Sequence, residues 1–153
     1  MPVSRFIDPD GTLHRFPAIT DVLPLLGRNQ QYWNEGLGNG FGLIDYCDAK
    51  GQLLSRLQLT CADGFGFHLY YEDFTEGNKI ATPYFSSNGS SDTRVVRLEL
   101  QNPIYLPAFA FLSPDDAERS LITFFDSGKR DERTKWLRGA EFRWDIVLGK
   151  TTD

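Results

Sequence analysis

The strongest constraint on this chain is a period of two that recurs in short runs. In residues 52–61, Leu53, Leu57, Leu59 and Cys61 alternate with Leu54, Arg56, Gln58 and Thr60, which sends the two sets to opposite sides of an extended chain. Residues 41–47 read as its partner strand, and Asp48-Ala49-Lys50-Gly51 between them is a turn. Asp63-Gly64 then turns into a strand over residues 65–71. The polar cluster 72–79 leads to a strand over 80–85, and residues 93–100, with Val95 and Val96 at their centre, predict a fifth. Five strands in about 60 residues leave no room for crossover connections, so the pairing is antiparallel. The polar stretch Ser86 to Asp92 between the last two reads as an exposed loop.

Local signals place the remaining elements. Asp8-Pro9-Asp10-Gly11 predicts the turn of an N-terminal hairpin over residues 5–16. Thr20-Asp21 offers an N-cap to a helical stub at residues 22–26 that Pro24 keeps short, and residues 28–40, with Gly36, Gly38 and Gly40, read as a connector holding Trp33. A principal helix is predicted at about 114–127: Ser113 is its N-cap, Pro114 fits its first position, Asp115 and Asp116 oppose the helix dipole, and Gly128 ends it. Ala117, Leu121, Phe124 and Phe125 give that helix one apolar stripe. Residues 129–135 read as a charged loop, and alternation over 141–148 predicts a last strand. The fold class is therefore α+β, with a mainly antiparallel sheet of five to seven strands and the helix on one face. With 153 residues and no internal linker, the whole chain, 1–153, is expected to be a single domain. An aromatic share of 14% agrees with ring-packed sheets.

Composition narrows the function. A formal charge of −5 supplies no broad basic surface for phosphates, so nucleic-acid binding is not expected. No apolar stretch approaches the roughly 20 residues a membrane helix needs, and the N-terminal segment lacks an apolar signal core, so a cytoplasmic location is expected. The hairpin register places Cys47 and Cys61 roughly 25 Å apart, which makes them free thiols.

No catalytic constellation stands out. His14 and His68 each fall inside a predicted strand, and no spacing pairs either with Cys61 or Ser55 as a nucleophile's base. Neither Cys nor His occurs at metal-ligand spacing. The glycines of residues 36–42 precede a strand, without the GxGxxG spacing or lysine of a phosphate loop. Glu72, Asp73 and Glu76 read as a solvated turn before they read as an acid-base pair. The chain is expected to be no enzyme, and to carry no cofactor or metal. Residues 35–92 hold eight acids against three bases, a balance equal to the −5 of the whole chain, together with Tyr46, Tyr70 and Tyr71. An acidic, aromatic face of this kind suits capture of a basic protein surface.

The C-terminal third carries a resemblance. Residues 107–117 (PAFAFLSPDDA), then Phe124-Phe125-Asp126-Ser127-Gly128-Lys129-Arg130 and Trp136 resemble small immunity proteins of bacterial polymorphic toxin systems, specifically the family often paired with deaminase toxins. Its members show a proline-containing strand, an SPEDA-like helix start, an F-F-x-T-G segment and a downstream Trp; Ser127 here replaces the Thr. About 30 residues match closely. The resemblance implies a non-catalytic cytoplasmic protein of interbacterial competition that binds a cognate toxin domain and blocks its active site, its gene lying directly downstream of the toxin's. Joined to the charge pattern, it points to Trp33, Asp45, Tyr46, Asp48, Glu72, Asp73 and Glu76 as toxin-binding residues, with Trp33 equally suited to the core. The alternative is a small α+β enzyme or ligand-binding domain with a pocket between helix and sheet, for which His68 beside a carboxylate would be the sign.

Overall fold

The computed structural model describes residues 3–35, 40–75, 80–98, 100 and 103–141. The N-terminal hairpin forms around its turn, where Asp8 accepts the backbone N–H groups of Asp10 and Thr12 and joins β1 (Val3–Ile7) to β2 (Leu13–Arg15). The predicted meander follows as β3 (Gly42–Cys47), β4 (Leu53–Ala62), β5 (Gly66–Asp73) and β6 (Thr82–Ser87), each antiparallel to the one before. Opposite Leu57, Leu59 and Cys61 stand Tyr71, Leu69 and Phe67, so the period of two in β4 is matched across the ladder and fills one face. Cys47 and Cys61 are free thiols at opposite ends of the β3–β4 pair.

With β1 against β3 and β10 (Lys135–Arg138) against β6, the sheet runs β10-β6-β5-β4-β3-β1-β2, and the two-residue β9 (Phe111–Leu112) extends it along β5. The fold is α+β, with one large antiparallel sheet and one main helix. That helix, α2 (Pro114–Ser127), begins and ends where its capping signals predict. Ser113 Oγ accepts from the Asp116 N–H at 3.2 Å, and Gly128 closes the helix in the left-handed region at φ 70°. Its stripe turns Ala117, Leu121 and Phe124 fully inward, whereas Phe125 is only half-buried at the edge of that core.

Several expectations need correction. Residues 28–40 are not all connector: Gln30–Glu35 form a short helix, α1, whose Trp33 is fully buried, and its indole N–H has no acceptor among the described residues. Trp33 is core, packed edge-on against Phe67, and offers nothing to a partner. The stub near Pro24 is a 3₁₀ turn, Leu23–Gly27, preceded by another, Ile19–Asp21, in which Asp21 folds back onto the Ala18 N–H and caps no later helix.

The expected fifth meander strand, β7 (Val95–Leu98), pairs instead with β8 (Ile104–Pro107) in a separate ribbon, because β10 occupies the outer edge of β6. That ribbon covers one end of the sheet's second face, packing Val96, Leu98 and Leu106 with Ala62 and Phe111. Ser86 and Ser87 belong to β6 and are buried; Ser86 Oγ donates to the Ala110 carbonyl and accepts from the Leu69 N–H, which removes the cost of burying it. Only the last residue of the expected charged loop, Lys135, belongs to β10, a strand that lies between that loop and the predicted strand at 141–148. A 3₁₀ turn, Gly139–Glu141, follows, and the rest of the predicted strand at 141–148 lies outside the described residues.

A cleft at the C-terminal end of the main helix

The left-handed cap at Gly128 turns the chain sharply off α2, and two hydroxyls from the sheet fix where it goes. Ser55 Oγ and Tyr71 Oη both donate to the Gly128 carbonyl, at 2.6 and 2.9 Å. Burial pushes the Tyr71 hydroxyl up to about 12, so it remains a proton donor at any physiological pH. Three residues on, Asp131 is held as firmly. Its buried carboxylate accepts Arg119 Nε at 2.9 Å and the Arg133 Nε and backbone N–H at 3.1 Å, while its carbonyl accepts Trp136 Nε1 at 3.0 Å. Burial alone would raise the Asp131 pKa, but those hydrogen bonds outweigh it and hold the group below the usual carboxylate value.

Between these two clamps lies Arg130. Its guanidinium carbon sits 3.6 Å from the centre of the Tyr84 ring and 5.6 Å from that of Tyr71, a stacking worth about 0.5 to 2 kcal/mol. The segment forms one wall of a cleft of about 610 Å³, with Ser127, Lys129, Glu132, Thr134 and Trp136 beside it and Tyr46, Leu54, Ser55, Tyr71, Asp73 and Thr75 opposite.

A smaller cavity of about 190 Å³ opens on the other face, lined by Phe41, Gln58, Thr60, Tyr70, Phe85 and Ile104 around His68. His68 is buried, its Nδ1 donates to the Ala110 carbonyl at 2.9 Å, and burial lowers its pKa to about 4, so it is a neutral structural group. Among the described residues, no carboxylate lines this cavity and no histidine lines the larger cleft. Among the described residues, no three His, Cys, Asp or Glu side chains are grouped to hold a metal, and no helix is long and apolar enough to cross a membrane.

The structure divides the predicted site residues. Tyr46 and Asp73 line the cleft. Asp48 lies at the same end of the sheet but shapes the β3–β4 turn, accepting the Lys50 and Gln52 N–H groups. Glu72 is half-buried on the opposite face, in a cross-strand row with Arg56 and Asp45. Asp45, expected exposed, is 5% exposed and lies between Arg5 Nε at 2.8 Å and Arg56 Nε at 2.6 Å, so its charge is spent inside the protein. Tyr71 is likewise buried rather than part of an exposed face. Trp33 belongs to the core, and Glu76 lies outside the described residues. Lys129, Arg130 and Trp136 lie in the stretches that carry the resemblance but are not among the expected toxin-binding residues; the helix-stop glycine before them is the local signal for the turn that brings them together. Comparison with known protein families, with curated proteins and with solved structures found no match to this chain.

Proposed function

We propose that this chain is a non-catalytic immunity protein that binds a cognate toxin domain in the cytoplasm, and that the cleft at the end of α2 is where the toxin docks. One observation carries the reading: the end of the resembling helix segment and the downstream Trp converge, with Ser127, Gly128, Lys129 and Arg130 lining the same cleft as Trp136. Two of the hydroxyls there, Ser55 and Tyr71, are committed to a backbone carbonyl, which suits a shaped binding surface. Asp73 in the cleft wall and Asp48 at the same end of the sheet supply the acidic rim that steers a basic toxin; Glu72, on the opposite face, adds only long-range charge, and Asp45 drops out of the charge argument. The second reading, a ligand-binding domain, has the cleft's volume in its favour, which falls within the range of small-molecule pockets.

The test starts from the reading frame immediately upstream of this gene. Co-expression of its C-terminal toxin domain with the wild-type chain is expected to protect cells, and the purified pair to form a complex. Reversing Glu72, Asp73 and Glu76 to Lys is expected to slow association and flatten its salt dependence. Glu118→Lys, on the exposed side of α2, is the control; Asp131 is unsuitable because its buried carboxylate holds Arg119 and Arg133 and a reversal there would disturb the fold. A purified chain that neither binds nor neutralises that domain overturns the reading.

A further inference from the structure

We propose that Arg130 is a preorganised carboxylate receptor: the cleft takes an aspartate or glutamate side chain from the docking protein and holds it on the Arg130 guanidinium. The inference rests on the docking reading of the cleft and adds the chemistry of what enters it.

Three observations converge. The first is orientation. A guanidinium carbon 3.6 Å from the Tyr84 ring centre lies at stacking distance, and a planar group stacked on a ring keeps its N–H edges free in its own plane, the arrangement that receives a carboxylate through two parallel hydrogen bonds. Arg138 Nη2 holds the Tyr84 hydroxyl at 3.2 Å, which fixes the platform beneath it.

The second is the absence of a partner within reach. Asp131, the adjacent residue, is fully engaged by Arg119 and Arg133, and no carboxylate among the described residues pairs with Arg130. A half-buried guanidinium with no carboxylate paired to it among the described residues keeps its N–H groups for an incoming anion.

The third is rigidity. The Gly128 carbonyl is clamped by Ser55 and Tyr71, and Asp131 is clamped by two arginines and the Trp136 indole, so the residue between them is delivered to one place. Little order remains to be imposed on binding. Asp73 and Glu132 also line the cleft, and their negative charge favours a monoanionic carboxylate over a phosphate dianion.

The test uses N-acetyl-glutamate methylamide as probe, with N-acetyl-glutamine methylamide and inorganic phosphate as comparison arms. The readouts are the ¹H–¹⁵N resonances of Arg130 Nε and Trp136 Nε1, the second reporting on the same loop. The carboxylate probe is expected to shift both saturably, and the glutamine analogue to shift neither. Arg130→Gln is expected to abolish the response, and Arg130→Lys, which keeps the charge but loses the fork, to weaken it by about tenfold. Unchanged amide spectra elsewhere will show that both variants fold. No saturable shift, an equal response to the glutamine analogue, tighter binding of phosphate, or binding retained in Arg130→Gln each overturns the proposal. No toxin is present in the titration, so a failed titration beside intact cell protection removes the carboxylate receptor and leaves toxin docking standing, and the reverse outcome removes docking alone.

Discussion

Tyr46 and Gly128 occupy each other's space: a β-carbon on Gly128 would stand 2.9 Å from Tyr46 Cε1 and closer still to Cγ and Cδ1. A residue of β3 thus dictates the residue type at the end of α2. The contact seats the helix terminus on the sheet where the cleft begins, and Tyr46 also packs edge-on against Phe124 one turn earlier.

Gly128→Ala is therefore expected to act twice, through left-handed backbone strain and through the clash with Tyr46, at a combined cost of about 2 to 4 kcal/mol. Gly51→Ala is the comparison. It has φ 81° with nothing near its missing side chain, so backbone strain of about 1 kcal/mol is all it should cost. Urea unfolding of both variants checks this, and equal losses would mean that Tyr46 exerts no pressure on the cap.

Phe124 carries more of the helix-sheet packing than Phe125. It is 1% exposed and meets Tyr46 and Tyr71 edge-on, whereas Phe125 is half-buried. Phe124→Ala should cost about 3 to 5 kcal/mol and Phe125→Ala clearly less, by chemical denaturation. The opposite ranking would put the other side of the helix against the sheet.

These residues show what the sequence could and could not disclose. The limits of α2 were legible because Ser113, Pro114 and Gly128 act on their own backbone neighbours, and the period of two in β4 was legible because burial on one face imposes it locally. Asp45 was misread because its partners sit 40 and 11 positions away, and an acid among turns looks the same whether paired or free. Trp33 was ambiguous for the same reason, its burial being decided by Phe67 across the core. The partner of β7 depended on a competition for the edge of β6 that β10 wins. The cleft was the least legible of all, since the path of residues 128–131 is set by two hydroxyls from strands more than 50 positions earlier.

Asp45 tests whether its charge is internal. Asp45→Ala leaves two part-exposed guanidiniums without their carboxylate and should destabilise the fold by about 1 to 3 kcal/mol. Replacing all three of Arg5, Asp45 and Arg56 with Met, Leu and Met should recover much of that loss, because the buried carboxylate and both of its arginine partners are then gone together. If the single variant is as stable as wild type, the ion pairs are ornamental and Asp45 is free to serve a partner.

His68 makes stability depend on pH in a window no other described group dominates. Its folded pKa of about 4 lies below the ordinary 6.5, chiefly because burial disfavours the charged ring. Between those values the unfolded chain binds the extra proton, so stability rises with pH, is fully present above about 6.5, and is lost as pH falls toward 4, by about 3 kcal/mol in all. Asp131, held below the usual carboxylate value, contributes only at lower pH. His68→Asn places an amide donor where Nδ1 meets the Ala110 carbonyl and has no proton to gain. Urea midpoints from about pH 7.5 to about pH 4.5 should fall steeply for the wild type and stay nearly level for His68→Asn across that window. Parallel curves for the two proteins would show that His68 titrates normally and that the cavity around it is open to water.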